Sequence, residues 1–173
     1  RSRGLGDVYK RQGYEQVCPS YELTEETWDT IMETNLKGAF FAAQAAAHSM
    51  VRSSRGGAIV NVCSLTSYVG VPTAVPYGSS KSGLLGMTRA LSTEWASEQI
   101  RVNAIAPGYF GTELTEAFYR EQAWQEAMLQ KIPLNSFGNA NDLKGAVVFL
   151  VSDAAKYITG QCLAIDGGYL ASI

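Results

Sequence analysis

The sequence contains few of the residues and segments from which metal, nucleic-acid and membrane sites are built. It has one histidine and three cysteines in 173 residues, at spacings that do not match a metal site. Its net charge of −2 provides no basic surface for nucleic acid or for an anionic membrane. The best candidate for a membrane span, Gly38 to Ala47, is too short and fits a buried helix better. We therefore expect no metal site, no nucleic-acid partner and no membrane partner.

The cysteines and the N-terminus indicate an intracellular protein. Cys18, Cys63 and Cys162 are odd in number and far apart, which is typical of reduced thiols rather than of a disulfide framework. The N-terminus is polar and lacks the apolar core of a secretion signal. We expect a cytoplasmic protein.

The composition predicts one folded domain that excludes the first twelve residues. The hydrophobic fraction of 46% and the charged fraction of 17% argue against disorder. Residues 1–12, RSRGLGDVYKRQ, have no periodicity and look like a sequence-assembly artefact; a natural basic arm is the alternative. Gly4 and Gly6 do not form a phosphate loop, because no strand precedes them and no helix with a third glycine follows. We assign residues 13–173 to a single domain.

Helical and strand patterns alternate along that domain. The predicted elements are, in order, a helix capped by Thr24 and running to about residue 52, a strand over 58–64, a helix over 77–97, a strand over 100–105, a helical excursion over 111–131, a helix over 141–152 and a strand over 162–165. The strand over 58–64 is short and β-branched, as buried parallel strands are. The alternation predicts an α/β fold with a Rossmann-like, doubly wound parallel sheet.

Three side chains form a candidate site for proton transfer. Tyr77 and Lys81 are four residues apart, so they share one face of the predicted helix. Ser64 precedes Tyr77 by thirteen residues and ends a predicted strand, at the edge of the sheet where parallel sheets bind ligands. A hydroxyl beside a Tyr–Lys pair can move a proton on or off a carbinol oxygen. The alternatives are a turn or capping serine, a tyrosine that anchors a helix, and a surface lysine.

Five ordered motifs resemble the short-chain dehydrogenase/reductase family. They are Asn35-Leu36-Lys37-Gly38, Ile59 to Ser64, Tyr77-Gly78-Ser79-Ser80-Lys81, Arg101 to Gly108, and Ile158-Thr159-Gly160 with Asp166-Gly167-Gly168. The sequence has no counterpart of the family's first strands or of its Gly-rich pyrophosphate turn. It also lacks the strand end that determines whether a family member binds NAD or NADP. The chain therefore resembles the C-terminal part of that domain, with the last three of seven strands.

The resemblance implies a role for each motif residue. Tyr77 would be the general acid/base, and Ser64 would stabilise charge on the substrate oxygen. Lys81 would bind the ribose hydroxyls of NAD or NADP and lower the pKa of Tyr77. An ammonium about 4 Å from the phenol favours phenolate by at most about 4 kcal/mol at an effective dielectric of about 20. Asn35 would hold a water that connects Lys81 to solvent, although an asparagine that braces a helix kink is nearly as good an interpretation.

The resemblance also implies that several residues contact the nicotinamide. Pro107, Gly108, Phe110 and Thr112 follow the second predicted strand, where family members hold the carboxamide; an ordinary turn is the alternative. The aromatic residues of the adjoining excursion are equally well explained as a substrate lid or as core residues. They are Tyr109, Phe118, Tyr119 and Trp124.

The substrate and the assembly are less well defined. Segments near the C-terminus resemble family members acting on sugars and sugar acids, such as gluconate 5-dehydrogenases, and 3-oxoacyl-carrier-protein reductases share the same motifs. A third hypothesis is that the chain is a non-catalytic fragment that cannot bind the cofactor. The small and apolar faces of the two long helices would, by resemblance, pair subunits into a homodimer or homotetramer, although burial against the sheet would also explain them.

Overall fold

The computed structural model describes residues 13–111 and 121–173, which form a three-stranded parallel sheet flanked by helices. The strands are β1 (Gly57–Val62), β2 (Ile100–Pro107) and β3 (Cys162–Ile165), in the spatial order β1-β2-β3. Gly57 pairs with Ile100, and Ala104 pairs with Cys162. The α/β fold and the parallel sheet predicted from the sequence are confirmed.

In the described residues, five α-helices connect and cover the strands. They are α1 (Glu25–Met32), α2 (Gly38–Ser53), α3 (Val75–Glu94), α4 (Gln122–Leu129) and α5 (Ala140–Val151). Thr24 caps α1 as predicted, because its hydroxyl accepts a hydrogen bond from the Thr27 backbone N–H at 3.2 Å. The helix predicted over 77–97 starts two residues earlier and ends at Glu94, where a short 3-10 turn follows.

The single long helix predicted from Thr24 to about residue 52 is wrong in its middle. Residues Glu33–Lys37 form a π-helical segment between α1 and α2. Such segments are rare in α-helices and are frequent at functional sites. This one contains Asn35, whose side chain is buried.

The π segment packs closely against α3. A Cβ atom on Gly83 would lie 2.8 Å from Leu36 Cδ2, so a side chain at Gly83 would force this contact apart. The absence of a side chain at Gly83 thus permits a close approach of two helical segments.

The sheet is covered differently on its two faces. On one face, Val102, Ala104 and Ala106 of β2 pack in clusters with residues of α2 and α3. From the other face, the Arg101 guanidinium reaches α5 and donates to the carbonyl oxygens of Leu150 at 2.7 Å and Ser152 at 3.2 Å. These carbonyls lie at the C-terminal end of α5, where helix carbonyls lack helical partners.

Within the described residues, no helix is both long and apolar enough to cross a membrane. The same residues contain no group of three or more His, Cys, Asp or Glu side chains able to hold a metal ion.

Candidate active site

Ser64 lies at the carboxyl end of β1 and makes two kinds of contact. Its backbone is extended, and its hydroxyl oxygen accepts a hydrogen bond from the Thr66 N–H at 3.2 Å, which caps the 3-10 turn Leu65–Ser67. The same hydroxyl lies near the Tyr77 phenol and acts to lower its pKa. The capping geometry and the predicted approach to Tyr77 are therefore both present.

Ser67, the other serine near the strand end, has a different set of partners. Its hydroxyl donates to the backbone carbonyl of Lys81 at 2.9 Å and accepts from the Ser64 N–H at 3.4 Å. Ser67 thus ties the turn after β1 to α3. This link helps to hold Ser64 beside the helix that carries Tyr77 and Lys81.

Tyr77 and Lys81 lie one turn apart near the start of α3. The Lys81 Nζ atom is 5.5 Å from the centroid of the Tyr77 ring, and it donates a hydrogen bond to the Val62 carbonyl at 2.8 Å. Lys81 is only 6% exposed. The surface-lysine interpretation is therefore wrong.

Burial dominates the acid–base properties of the pair. It raises the pKa of Tyr77 to about 12, and the Ser64 hydroxyl offsets only part of this effect. A lowering of the Tyr77 pKa by Lys81 therefore stays a prediction. The ammonium lies over the ring and is bound to the Val62 carbonyl. Burial also lowers the pKa of Lys81, opposed by Cys63 and Glu15.

Asn35 fixes the backbone of the segment that precedes α1. Its Nδ2 donates to the Tyr14 carbonyl at 2.8 Å, and its Oδ1 accepts from the Tyr14 N–H at 2.8 Å. Nδ2 also lies 3.2 Å from the Ser80 hydroxyl, next to Lys81 on α3. These contacts favour the bracing interpretation, while the water-binding role of Asn35 stays a prediction.

Gly13, which has no side chain, lies with its backbone close to Lys81 and Asn35. A Cβ atom on Gly13 would lie 3.6 Å from Lys81 Nζ and 3.5 Å from Asn35 Oδ1. The segment from Gly13 to Glu15 therefore runs along the edge of the Tyr77–Lys81 pair.

The turn after β2 lies at the same edge of the sheet as Ser64. The Gly108 N–H donates to the Ile165 carbonyl at 2.8 Å, and a Cβ on Gly108 would lie 2.7 Å from Asp166 Cα. Glycine is therefore needed where the turn after β2, which follows Pro107, meets the turn after β3. Phe110 is buried, with its ring filling the space beside Gly138. Thr112 lies outside the described residues.

The aromatic residues of the predicted lid contact one another. The Tyr109 ring lies 5.8 Å from Trp124 and 5.4 Å from Tyr169, both edge-to-face, and Trp124 stacks on Phe137 at 6.1 Å. For Tyr109 and Trp124 these contacts favour the core interpretation over a substrate surface. Phe118 and Tyr119 lie outside the described residues.

Sequence reasoning missed one charged residue near the site. Glu15 is half-buried, and its carboxylate interacts electrostatically with both Lys81 and Tyr77. It lies in a segment without regular secondary structure, so periodicity gives no signal for it. Its position two residues after Gly13 was the available clue.

A second missed feature is a pair of thiols beside the site. Cys63, which follows β1, and Cys162, which begins β3, pack in one cluster, although β2 lies between the two strands. The pKa of Cys162 is lowered to about 7, first by Cys63 and then by Tyr68 and the charge of Arg89, against the effect of burial. The pKa of Cys63 is raised, first by Cys162 and then by burial.

Cys162 should therefore be more reactive than Cys63. Because the thiolate is the nucleophile, we expect alkylation of Cys162 by iodoacetamide to accelerate as pH rises through about 7. Site-resolved mass spectrometry after timed labelling measures this, and Cys162→Ser is the control. Faster labelling of Cys63, or a Cys162 profile centred near 9, would contradict the assignment.

Most of the chain is similar in sequence to known proteins. Residues 9–170 match a family model described as enoyl-(acyl carrier protein) reductase. A 2-dehydro-3-deoxy-D-gluconate 5-dehydrogenase from Escherichia coli (strain K12) is 41% identical over 150 residues, which cover 87% of this chain and 59% of that protein. The chain therefore spans less than two thirds of this relative's length.

Solved structures show the same fold. A provisionally named short-chain alcohol dehydrogenase from Sinorhizobium meliloti 1021 superposes with a TM-score of 0.90 at 65% identity, over 93% of this chain and 64% of that one. A gluconate 5-dehydrogenase from Burkholderia cenocepacia J2315, in complex with NADP and tartrate, superposes with a TM-score of 0.91 at 33% identity, over 94% and 63%. Together with the family model, these matches show that the chain belongs to the short-chain dehydrogenase/reductase family.

Proposed function

We propose that the protein containing this chain is an NAD(P)-dependent oxidoreductase that transfers a hydride between a nicotinamide cofactor and an alcohol or ketone. One observation carries the proposal: Ser64, Tyr77 and Lys81 converge at the carboxyl end of β1, where the Lys81 ammonium lies over the Tyr77 ring and is bound to the Val62 carbonyl. The dehydrogenase names of the relatives support it.

The residues present fit a nicotinamide cofactor. The Lys81 ammonium has three N–H donors, and the described residues show one of them bound, to the Val62 carbonyl. The other two are suited to the ribose hydroxyls. We propose that Pro107, Gly108, Phe110 and Thr112 form the wall against the nicotinamide, and that Asn35 is a positioning residue.

The chain's own residues supply the proton. When bound, the cofactor would supply or accept the hydride. In reduction, Tyr77 holds its proton at neutral pH and donates it to the carbonyl oxygen, while the Ser64 hydroxyl stabilises the charge on that oxygen. In oxidation, the Tyr77 phenolate, stabilised by the Lys81 ammonium, takes the carbinol proton and becomes the neutral phenol.

We propose a sugar or sugar acid as the substrate. The named substrates of the relatives from Escherichia coli and Burkholderia cenocepacia support this choice. A 3-oxoacyl-carrier-protein substrate is the alternative, supported by the carrier-protein description of the matched family. The test is an assay of the full-length protein with polyols, sugar acids and 3-oxoacyl thioesters, each with NAD and NADP. Turnover of a sugar or sugar acid supports the proposal, and exclusive turnover of thioesters selects the alternative.

We further propose a cytoplasmic protein that assembles as a homodimer or homotetramer. Cys18, Cys63 and Cys162 are all free thiols, which suits a reducing compartment. Phe41 and Val51 of α2 are 53% and 43% exposed, which suits a helix face that packs against another subunit.

A non-catalytic role for the 173 residues by themselves is the second candidate. In the described sheet, β1 is an edge strand with Val62 51% exposed, and exposed edges favour aggregation. Expressed alone, these residues should bind NAD(P) weakly or not at all in a titration followed by nicotinamide fluorescence. Tight binding would refute this candidate.

A further inference from the structure

The Asp166-Gly167-Gly168 motif forms a tight turn directly after β3. The Asp166 carboxylate accepts two backbone hydrogen bonds of 2.9 Å, from the N–H groups of Gly168 and Leu170. Gly167 and Gly168 have φ angles of 65° and 91°, in the region that favours glycine. Hydrogen bonds to a charged acceptor are the stronger kind, so the Asp166 carboxylate holds this turn in its shape.

The turn supports the segment of chain that follows α4. The Leu134 N–H donates to the Gly167 carbonyl at 3.0 Å. A Cβ atom on Gly167 would lie 2.6 Å from Ile132 Cγ2, and one on Gly168 would lie 3.1 Å from Pro133 Cγ. The chain that leaves α4 therefore rests directly on the backbone of the turn.

The same turn also contacts the wall proposed for the nicotinamide. A Cβ atom on Gly108 would lie 2.7 Å from Asp166 Cα, so the two turns are in close contact. The Tyr169 ring packs edge-to-face on Tyr109 at 5.4 Å, and Tyr109 in turn contacts Trp124 of α4 at 5.8 Å. The turn after β3 thus joins the wall to α4.

The position of α4 depends on contacts of this kind. The helix has eight residues, all described by the structure, and none of them is buried. A helix of this length is not stable by itself in water. Elements with few buried contacts also have the lowest local stability in a fold. A change in the turn should therefore move or loosen α4 before it affects the core.

We propose that Asp166 is a positioning residue, which fixes the turn of residues 166–170 and thereby places α4 against the nicotinamide wall. The inference rests on the proposed oxidoreductase function and deepens it, because α4 belongs to the excursion that would cover the substrate. Loss of the Asp166 carboxylate would weaken substrate binding, and it would leave in place the groups that move the proton.

The first test is Asp166→Asn in the full-length protein. The amide has the same shape, but its NH₂ group cannot accept from a backbone N–H, so one of the two hydrogen bonds is lost. Hydrogen exchange of residues 122–134, followed by mass spectrometry, should become at least about tenfold faster, because a bond to a charged acceptor is lost. Exchange of residues 75–94 in α3 should not change. Thr24→Ala, which removes the cap of α1, is the control and should leave residues 122–134 unaffected.

A second pair of variants tests the aromatic contact of the turn. Tyr169→Leu removes the ring that packs on Tyr109, whereas Tyr169→Phe keeps it. Tyr169→Leu should accelerate exchange of residues 122–134 about two- to tenfold, the usual worth of an edge-to-face pair, and Tyr169→Phe should not. If Asp166→Asn does not fold, the contrast between these two variants decides the matter alone.

Steady-state kinetics separate positioning from a general loss of structure. Asp166→Asn and Tyr169→Leu should raise the KM of the best substrate of the panel and leave kcat nearly unchanged, as expected when only substrate binding is weakened. Unchanged exchange of residues 122–134, equal acceleration in α3, or a lower kcat at an unchanged KM would overturn the proposal.

Failure of the proposed function would be seen separately. Faster exchange of residues 122–134 in the variants of a protein that turns over no substrate of the panel would leave the role of Asp166 standing and remove the oxidoreductase proposal. Turnover with unchanged exchange in the variants would do the reverse.

Discussion

Tyr77→Phe in the full-length protein should lower kcat by about 10²–10⁴-fold, the usual contribution of a positioned acid or base. The change removes the hydroxyl near Ser64 and leaves the ring under the Lys81 ammonium. Cofactor affinity should therefore change little. Steady-state kinetics and a nicotinamide fluorescence titration measure the two quantities.

Tyr157→Phe is the matched control, because the Tyr157 side chain is fully exposed. It should leave kcat unchanged. Turnover within tenfold of wild type in Tyr77→Phe would show that another group moves the proton.

The raised pKa of Tyr77 also predicts that wild type and Tyr77→Phe differ in the pH dependence of their stability. The folded protein keeps the Tyr77 proton up to about pH 12, whereas the unfolded chain loses it near pH 10. The stabilisation is thus fully present below pH 10 and is lost as pH rises to about 12. Over that range, the free energy of unfolding should fall more steeply in wild type than in Tyr77→Phe.

Lys81→Met should lower kcat by at least about 10²-fold, because it removes the ammonium that stabilises the phenolate and binds the ribose. Stability should respond differently. Methionine fills similar volume without burying a charge, and the lost hydrogen bond to Val62 is worth only about 0.5–1.5 kcal/mol. A variant that is inactive yet as stable as wild type at pH 7 is the expected result.

The pH dependence checks that Lys81 is buried as a charge. Burial lowers its folded pKa below the ordinary 10.5, so the cost of burying the charge is fully present below the folded pKa. That cost disappears as pH rises through 10.5, and wild type should gain stability relative to Lys81→Met over this range. Lys37→Met, at an exposed lysine, is the control. A large loss of stability at pH 7 in Lys81→Met would mean that Lys81 is chiefly structural.

Local patterns were sufficient to predict much of this structure. The β-branched run before Ser64, the Thr24 cap and the four-residue spacing of Tyr77 and Lys81 are local features, and the structure retains each of them. The π segment around Asn35 was missed, because hydrophobic periodicity does not distinguish one π-helical turn from the α-helix on either side of it. It also depends on a contact with Tyr14, twenty-one residues away.

The acid–base properties of the site could not be predicted from spacing alone. A separation of four residues indicates that Tyr77 and Lys81 share a face, but not that the ammonium turns toward Val62. Burial, which decides the pKa of both groups, comes from the whole fold. Glu15 was missed for the same reason, since its place near Lys81 depends on bonds made by Asn35.

The most direct test of the central proposal follows a labelled hydride. The full-length protein is supplied with a ketose or keto sugar acid and with NADH or NADPH carrying deuterium at carbon 4 of the nicotinamide, on either face. We predict deuterium on the carbinol carbon of the product, detected by NMR, and its loss in Tyr77→Phe. Product without deuterium from either labelled face, or no product from any substrate of the panel, would contradict the account.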